Sequence, residues 1–382
     1  MKTGFYRFFA LLLAALLTAG CAAFAESGEG LFEYRLLQDG NALVTGYGGN
    51  GDTLVLPDAV DGHPVTGLSK TFSYNSPFIS DVKCLQVPET LTDIEPGALQ
   101  FSRSLTDIQI AEGNPALAFS DGVLYNMEKK SLVLYLSGNT EESFEIPDGI
   151  REIEDKAFVR TTLKTLRFSE TMEHVGSECF DQALLTEIIL NEGLKTIDAE
   201  AFTNCDRLQS ITIPASVTDI GEAAFTDNRL TEIRVAPGNP VFTVSDGALI
   251  NLRDGVALAF PTRAEQESCA IPKGVMRIGR FAFYRCHNLK NVSFPAGLQV
   301  IAHGAFSSCN HIVSFDLPDS LAVLEEGAFE GNNEAAYITI PAGVTEIGNN
   351  FLNCGKDLVI RVAPGSCAEQ FCREHNLCCE SI

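Results

Sequence analysis

Positive charge is scarce in this sequence: 27 Lys and Arg stand against 50 Asp and Glu in 382 residues, a formal net charge of −23. Such a surface repels a phosphate backbone, which excludes nucleic acid as a partner, and it opposes adsorption to anionic lipid. Low-complexity tracts are lacking too, and 45% of the residues are apolar, so a folded chain is expected. Beyond the N-terminus no apolar run is long enough to span a bilayer, and no LPxTG-like sorting signal lies near the C-terminus. Also missing are G-x-S-x-G, H-E-x-x-H, a Walker loop, an EF-hand pattern and the paired C-x-x-C spacing of a zinc site. No enzyme, metal centre or cofactor is expected.

The first 25 residues read as a signal peptide: Lys2 and Arg7, then the apolar core FFALLLAALL over residues 8–17. Two processing routes stand side by side. Ala23-Phe24-Ala25 before Glu26 is an A-x-A site for plain secretion, the favoured route. Thr18-Ala19-Gly20-Cys21 resembles a bacterial lipobox, which makes Cys21 the candidate lipidated residue, although Thr18 stands where Leu is usual. Both routes place the mature chain outside the cytoplasm, secreted or at the cell surface.

What the chain has in abundance is a period. Phe158, Phe180, Phe202 and Phe225 are 22, 22 and 23 residues apart, and Phe283, Phe306, Phe329 and Phe351 are 23, 23 and 22 apart. Each closes one template, clearest over residues 213–237: an apolar-x-apolar-Pro end, V-x-x-I, A-F, then L-x-x-I-x-I. Prolines 88, 147, 214, 272, 295, 318 and 341 mark one point of it, with Ser169 and Asn191 in two coils and Leu99 in a phenylalanine slot. L-x-x-I-x-I alternates as a half-buried strand does, Pro ends it because it cannot donate to a ladder, and the ring fills the coil. One such coil cannot close a core, so nine or ten must stack into a solenoid.

A second repeat is superimposed on the first. GNPALAFSDGVLYN (113–126) and GNPVFTVSDGALIN (238–251) interrupt the array 125 residues apart, each with an S-D-G turn that predicts a hairpin widening one coil. The expected organisation is a signal peptide (1–25), an N-terminal cap with a first imperfect coil (26–80), 22–23-residue repeats (81–362) with insertions near 111–145 and 236–270, and a C-terminal cap (363–382). In that last segment Ser366 with Glu369 forms a capping box opening a short helix, which is expected to cover the last sheet edge.

The pattern P-x-x-V-x-x-I-x-x-x-A-F-x-x-C-x-x-L-x-x-I-x-I, seen in 272–294 and 295–317, resembles the BspA-like leucine-rich repeat surface proteins of bacteria. The openings ALVTGY and DGHPVTGL and the ending APGSCAEQFCREHN resemble that family too, over roughly residues 31–378. The resemblance implies a leucine-rich-repeat solenoid, mainly β with short turns, with a parallel sheet on one face and a C-terminal capping helix. It implies no cofactor, and adhesion or host-protein binding for some members.

The sharper motifs dissolve against the repeat. Cys205, Cys286, Cys309 and Cys354 stand three residues after the coil phenylalanine, where other coils hold Thr161, Ala183, Asn228 and Asn332, so they read as an inward structural slot. His287, His303 and His311 occupy three different template positions and do not converge. Cys367, Cys372, Cys378 and Cys379 beside His375 read as one or two disulfides stapling the cap, or as free thiols. GYGGNG (46–51) fits a dinucleotide fingerprint but has no helix after it, and Asn291-Val292-Ser293 lies in a strand.

What remains is a surface. The outward position of L-x-x-I-x-I reads Gln109, Arg167, Ile189, Thr212, Arg234, Ser293, Asp316, Thr339 and Arg361, and the two hairpins are the other candidate contact sites. The expected function is non-enzymatic capture of a host or matrix protein, or of another surface protein. A structural spacer without a dedicated ligand is the alternative. Membrane contact is expected only through a lipid on Cys21.

Overall fold

A computed structural model of the chain describes residues 22–27, 30–350 and 358–382; Cys21, Phe351 and Cys354 lie outside the described residues. It divides into two compact units, 1–139 and 140–382. Both are built from β-solenoid turns, about 14 in all.

In the first unit, Gly30–Leu36 pairs antiparallel with Ala42–Tyr47. The chain then enters the coil: Ala42–Tyr47 pairs in parallel with His63–Leu68, and that strand with Asp93–Ile94. A second parallel ladder joins Thr53–Val55, Cys84–Val87 and Asp107–Ile110. Gly46 and Tyr47 of GYGGNG end the strand Ala42–Tyr47, and its remaining residues connect that strand to Thr53–Val55 without a helix. The core between the ladders holds Phe32, Tyr34, Phe72 and Leu85.

The second unit repeats the two-ladder plan in register. Thr165–Arg167 pairs with Glu187–Ile189 on the long side, and His174–Val175 with Thr196–Ile197 on the short side. Between them the rings stack: Phe158–Phe180 at 5.3 Å, Phe180–Phe202 at 5.0 Å, Phe283–Phe306 at 4.7 Å and Phe306–Phe329 at 5.7 Å. These phenylalanines are 0% exposed, so V-x-x-I and A-F do close apolar ring columns, one running from Phe158 to Phe225 and one from Phe260 to Phe329.

The A-F corner holds itself by a feature that residue types do not announce. Two residues before and two after each ring the backbone is left-handed: Lys156 and Arg160, Glu178 and Gln182, Glu200 and Asn204, Phe281 and Arg285. The ring residue and these flanks donate their N–H groups to the next coil, as in Phe281 N to His303 O (3.0 Å), Phe283 N to Ala305 O (2.8 Å) and Arg285 N to Ser307 O (2.9 Å). The strain of left-handed non-glycine residues is thus offset by a third hydrogen-bonded ladder. Gly304 is required at its corner, since a Cβ there would lie 2.2 Å from the Phe281 ring.

The two insertions are more than a widening. Each is a three-stranded antiparallel meander: Leu117–Ser120, Val123–Asn126 and Ser131–Tyr135 in the first unit; Phe242–Ser245, Ala248–Asn251 and Val256–Ala259 in the second. Val256–Ala259 then pairs in parallel with Arg277–Ile278, so the last strand of the meander becomes a rung of the short ladder. Phe260, just after it, stacks on Phe283 at 5.2 Å. The insertion therefore completes a coil of its own, one reason the turns outnumber the nine or ten expected.

At the C-terminus the capping box forms: Glu369 N donates to Ser366 Oγ (3.2 Å), Gly365 N donates to Glu369 Oε2 (3.0 Å), and the helix runs Cys367–Glu374. It packs against Glu346–Ile347, the last short strand. It does not cover the edge of the long ladder, which is extended by a further parallel strand, Cys379–Ser381, on Val359–Val362. A chain that turns back after the helix adds a rung where only a cover was expected.

Candidate binding face

Alternation along the long strands decides which side chains face out. Leu166, Ile188, Ile211 and Ile233 are buried, and their neighbours Arg167, Thr212 and Arg234 are exposed, with Ile189 half-buried. In parallel register these stand side by side: Glu145, Arg167 and Ile189 on three rungs, and Thr212 beside Arg234. Lower in the same unit Ala270 neighbours Ser293, and Asp316, Thr339, Arg361 and Glu380 follow one another. In the first unit Val55, Gln86 and Gln109 form the equivalent column.

Several of these residues are committed to one another. Gln86 Nε2 donates to Gln109 Oε1 (3.1 Å), and Gln109 Nε2 to Asp107 Oδ2 (3.0 Å). Thr339 Oγ1 donates to Asp316 Oδ1 (3.0 Å), and the Arg361 guanidinium lies 4.0 Å from the centre of the Tyr337 ring. Arg234 is ion-paired with Glu232. Arg167 forms no ion pair among the described residues, so its charge is free for an external partner. Glu145, Ala270 and Gln86 were not expected in this column. Each stands two residues before a marker proline (147, 272 and 88), and that offset was the signal that places them.

The hairpins offer less surface than expected. Val123–Asn126 and Ala248–Asn251 are buried along their whole length. What each shows to solvent is its two turns: Asp121 and residues 127–130 in the first, Asp246 and residues 252–254 in the second.

The cysteine column has a structural task. Cys205 Sγ donates to Phe180 O (3.2 Å) and Cys309 Sγ to Phe283 O (2.7 Å), while Asn332 Nδ2 donates to Phe306 O (2.8 Å). The slot supplies a small donor to the carbonyl of the preceding ring residue, and Thr161 does the same for Phe158 O within its own coil (3.0 Å). Burial pushes the Cys205 and Cys286 thiols well above their usual range, so they remain protonated and non-nucleophilic. The histidines stay apart: His303 meets the Phe281 ring edge-on at 5.1 Å, and His311 faces Glu334 at 3.1 Å. His287 is held below the usual imidazole range, first by burial and then by Arg263 and Arg285. Among the described residues, no three His, Cys, Asp or Glu side chains are grouped to hold a metal ion. No helix among them is long and apolar enough to cross a membrane.

A family model described as BspA type leucine rich repeat region matches residues 134–248 and 257–367, in 6 copies. Of solved structures, the pneumococcal vaccine antigen PcpA superposes with a TM-score of 0.55 at 16% identity, over 95% of this chain and 100% of that one. A leucine rich cell surface protein from Faecalibacterium prausnitzii A2-165 also gives 0.55, at 21% identity, over 92% of this chain and 97% of that one. At these identities the likeness is one of fold. No curated protein matches the chain.

Proposed function

Because the chain belongs to the BspA type leucine-rich repeat family, we propose that it works outside the cell as a capture module. Its outward column on the long ladder is the contact face, and the ligand is a host or matrix protein or another surface protein. The observation that carries this reading is Arg167: an exposed cation between Glu145 and Ile189 on adjacent rungs, unpaired among the described residues. A rigid array spaces such contacts about 4.8 Å apart, so a partner with an acidic, extended surface gains several weak contacts at no ordering cost to the solenoid. Two structural relatives, a vaccine antigen and a leucine rich cell surface protein, support a surface location for this chain.

The test is capture by beads carrying the full chain, on epithelial monolayers and on immobilised matrix proteins. Arg167→Glu with Arg234→Glu should lower capture about tenfold, the effect of ~1.4 kcal/mol, with at most about 1 kcal/mol lost in unfolding from the new like-charge neighbours Glu145 and Glu232. Equal capture by the double variant removes the sheet face. No capture by the wild-type chain favours the spacer role. Mass spectrometry of the mature N-terminus separates lipid on Cys21 from cleavage after Ala25, and protease shaving of intact cells reports surface exposure.

A further inference from the structure

The C-terminal cap brings together two thiols that neither the sheet face nor the ring column uses. The helix Cys367–Glu374 ends in a left-handed Asn376 (φ 55°), and Leu377 N reaches back to Cys372 O at 2.8 Å. This helix stop reverses the chain and sends it beside the last coil. Cys379 then pairs with Ile360, whose side chain belongs to the inward column, while Glu380 continues the outward one beyond Arg361. Cys379 therefore faces the helix side of the terminal rung. Cys372 is 1% exposed and shares the buried helix face with Ala368, one turn earlier. The Leu377 bond to Cys372 O brings the returning chain back beside Cys372, and after burial the Cys379 thiol is the next cause that raises the Cys372 thiol. The other two cysteines of the cap are placed elsewhere: Cys367 donates to Thr345 O (3.5 Å), and Cys378 is exposed one residue before the strand.

We propose that Cys372 and Cys379 are a disulfide-forming pair that fastens the last rung of the solenoid to its capping helix. In the reduced state the terminal strand rests on its ladder to Val359–Val362. In the oxidised state it is also tied through the helix to the core. The exposed Cys379 thiolate attacks a low-molecular-weight disulfide such as glutathione disulfide and expels one thiolate. Cys372, once deprotonated, attacks the mixed disulfide at the Cys379 sulfur and expels the second. Two cysteine thiols thus lose two protons and two electrons, and one glutathione disulfide becomes two glutathione thiols. Burial holds the Cys372 thiol up at about 12, so ring closure should quicken as pH rises. In the cell the bond rests on the export reading for its oxidant; the purified chain tests the pairing without it.

Trypsin cuts after Arg361 and Arg373, which separates Cys367 and Cys372 (residues 362–373) from Cys378 and Cys379 (residues 374–382). The full chain, incubated with glutathione disulfide, is digested without reduction and its cross-linked peptides are sequenced by mass spectrometry. The expected product joins Cys372 to Cys379. Hydrogen exchange at residues 379–382 should slow at least about tenfold on oxidation, since the local opening is then tethered. Cys379→Ser should abolish that redox dependence and Cys378→Ser should keep it. Cys379 is used because its exposed position tolerates the change, whereas Cys372→Ser buries a hydroxyl. A bridge through Cys367 or Cys378, or both thiols still alkylatable after oxidant treatment, overturns the pairing. A bridge in the purified chain but free thiols in material shaved from cells overturns the extracellular reading instead.

Discussion

The two hairpin insertions are one design used twice, and where they agree differs from where they part. Asn114 and Asn239 are the same clip. Asn114 donates to Pro88 O and Leu91 O and accepts from the amides of Ala116 and Leu117. Asn239 donates to Pro214 O and Val217 O and accepts from Val241 and Phe242. Both tips turn through Asp-Gly with two positive φ angles, 54° and 76° in one and 47° and 83° in the other, the two-residue turn that matches strand twist. The flanking charges differ. In the second unit Arg277 reaches Glu222 (3.4 Å) and Glu325 (3.0 Å), and Arg285 reaches Asp227 (2.7 Å). The residues 125 earlier than Arg277, Glu222, Arg285 and Asp227 are Glu152, Gly97, Arg160 and Ser102, so neither counterpart pair joins opposite charges. The clip, the turn and the ring are what the insertion needs; the ion pairs are an addition to one copy.

The largest effect should come from the rings that make each insertion a coil. Phe260 is 5% exposed and Tyr135, its counterpart, 1%. Phe260→Ala should cost roughly 3–5 kcal/mol in urea unfolding, and Tyr135→Ala a similar amount in its own unit. A cost at only one of them would break the equivalence. The clips come next. Asn114→Ala and Asn239→Ala each remove the side-chain partner of two carbonyls and two amides, although Pro214 O keeps Val217 N, and roughly 2–4 kcal/mol is expected from either. The turns follow: a Cβ on Gly122 or Gly247 meets Asn139 Nδ2 at 2.5 Å or Gln266 Nε2 at 2.4 Å, in a backbone region costly for alanine. About 1–2 kcal/mol is expected for each glycine-to-alanine change, read from the same urea curves.

The sequence exposes this equivalence unevenly. The Phe period, the strand-ending prolines and the S-D-G turns are legible because each is a residue type with one physical use. The additional coil is hidden, although Phe260 stands 23 residues before Phe283 and Tyr135 stands 23 before Phe158. The strand before Phe260 lacks the V-x-x-I spacing, and Tyr135 replaces the A-F signature with Leu-Tyr. The left-handed corners are illegible for another reason: Lys156, Glu178, Glu200, Ala223 and Phe281 share a backbone conformation but no chemistry. Stacked hydrogen bonds impose it, and no side chain records it. The binding column lies between these cases. Its outward placement follows from alternation, while the freedom of Arg167 and the pairing of Arg234 are set by neighbouring strands.

The smallest effect is the one that separates the two copies. Arg277 and Arg285 are partly exposed, with side-chain accessibilities of 33% and 46%, so water screens their ion pairs and removes much of the Coulomb gain. Arg277→Ala with Arg285→Ala should cost the second unit about 1 kcal/mol at low salt. At 1 M salt the screening length falls to about 3 Å, and the cost should shrink into measurement error. The clip and turn variants should keep their full cost in both salts, because hydrogen bonds to buried carbonyls and backbone strain are not screened. A salt-independent loss in the arginine double variant would mean that the two side chains act by packing their stems over the insertion. The charges would then be incidental, and the two insertions would differ in coverage, not in electrostatics.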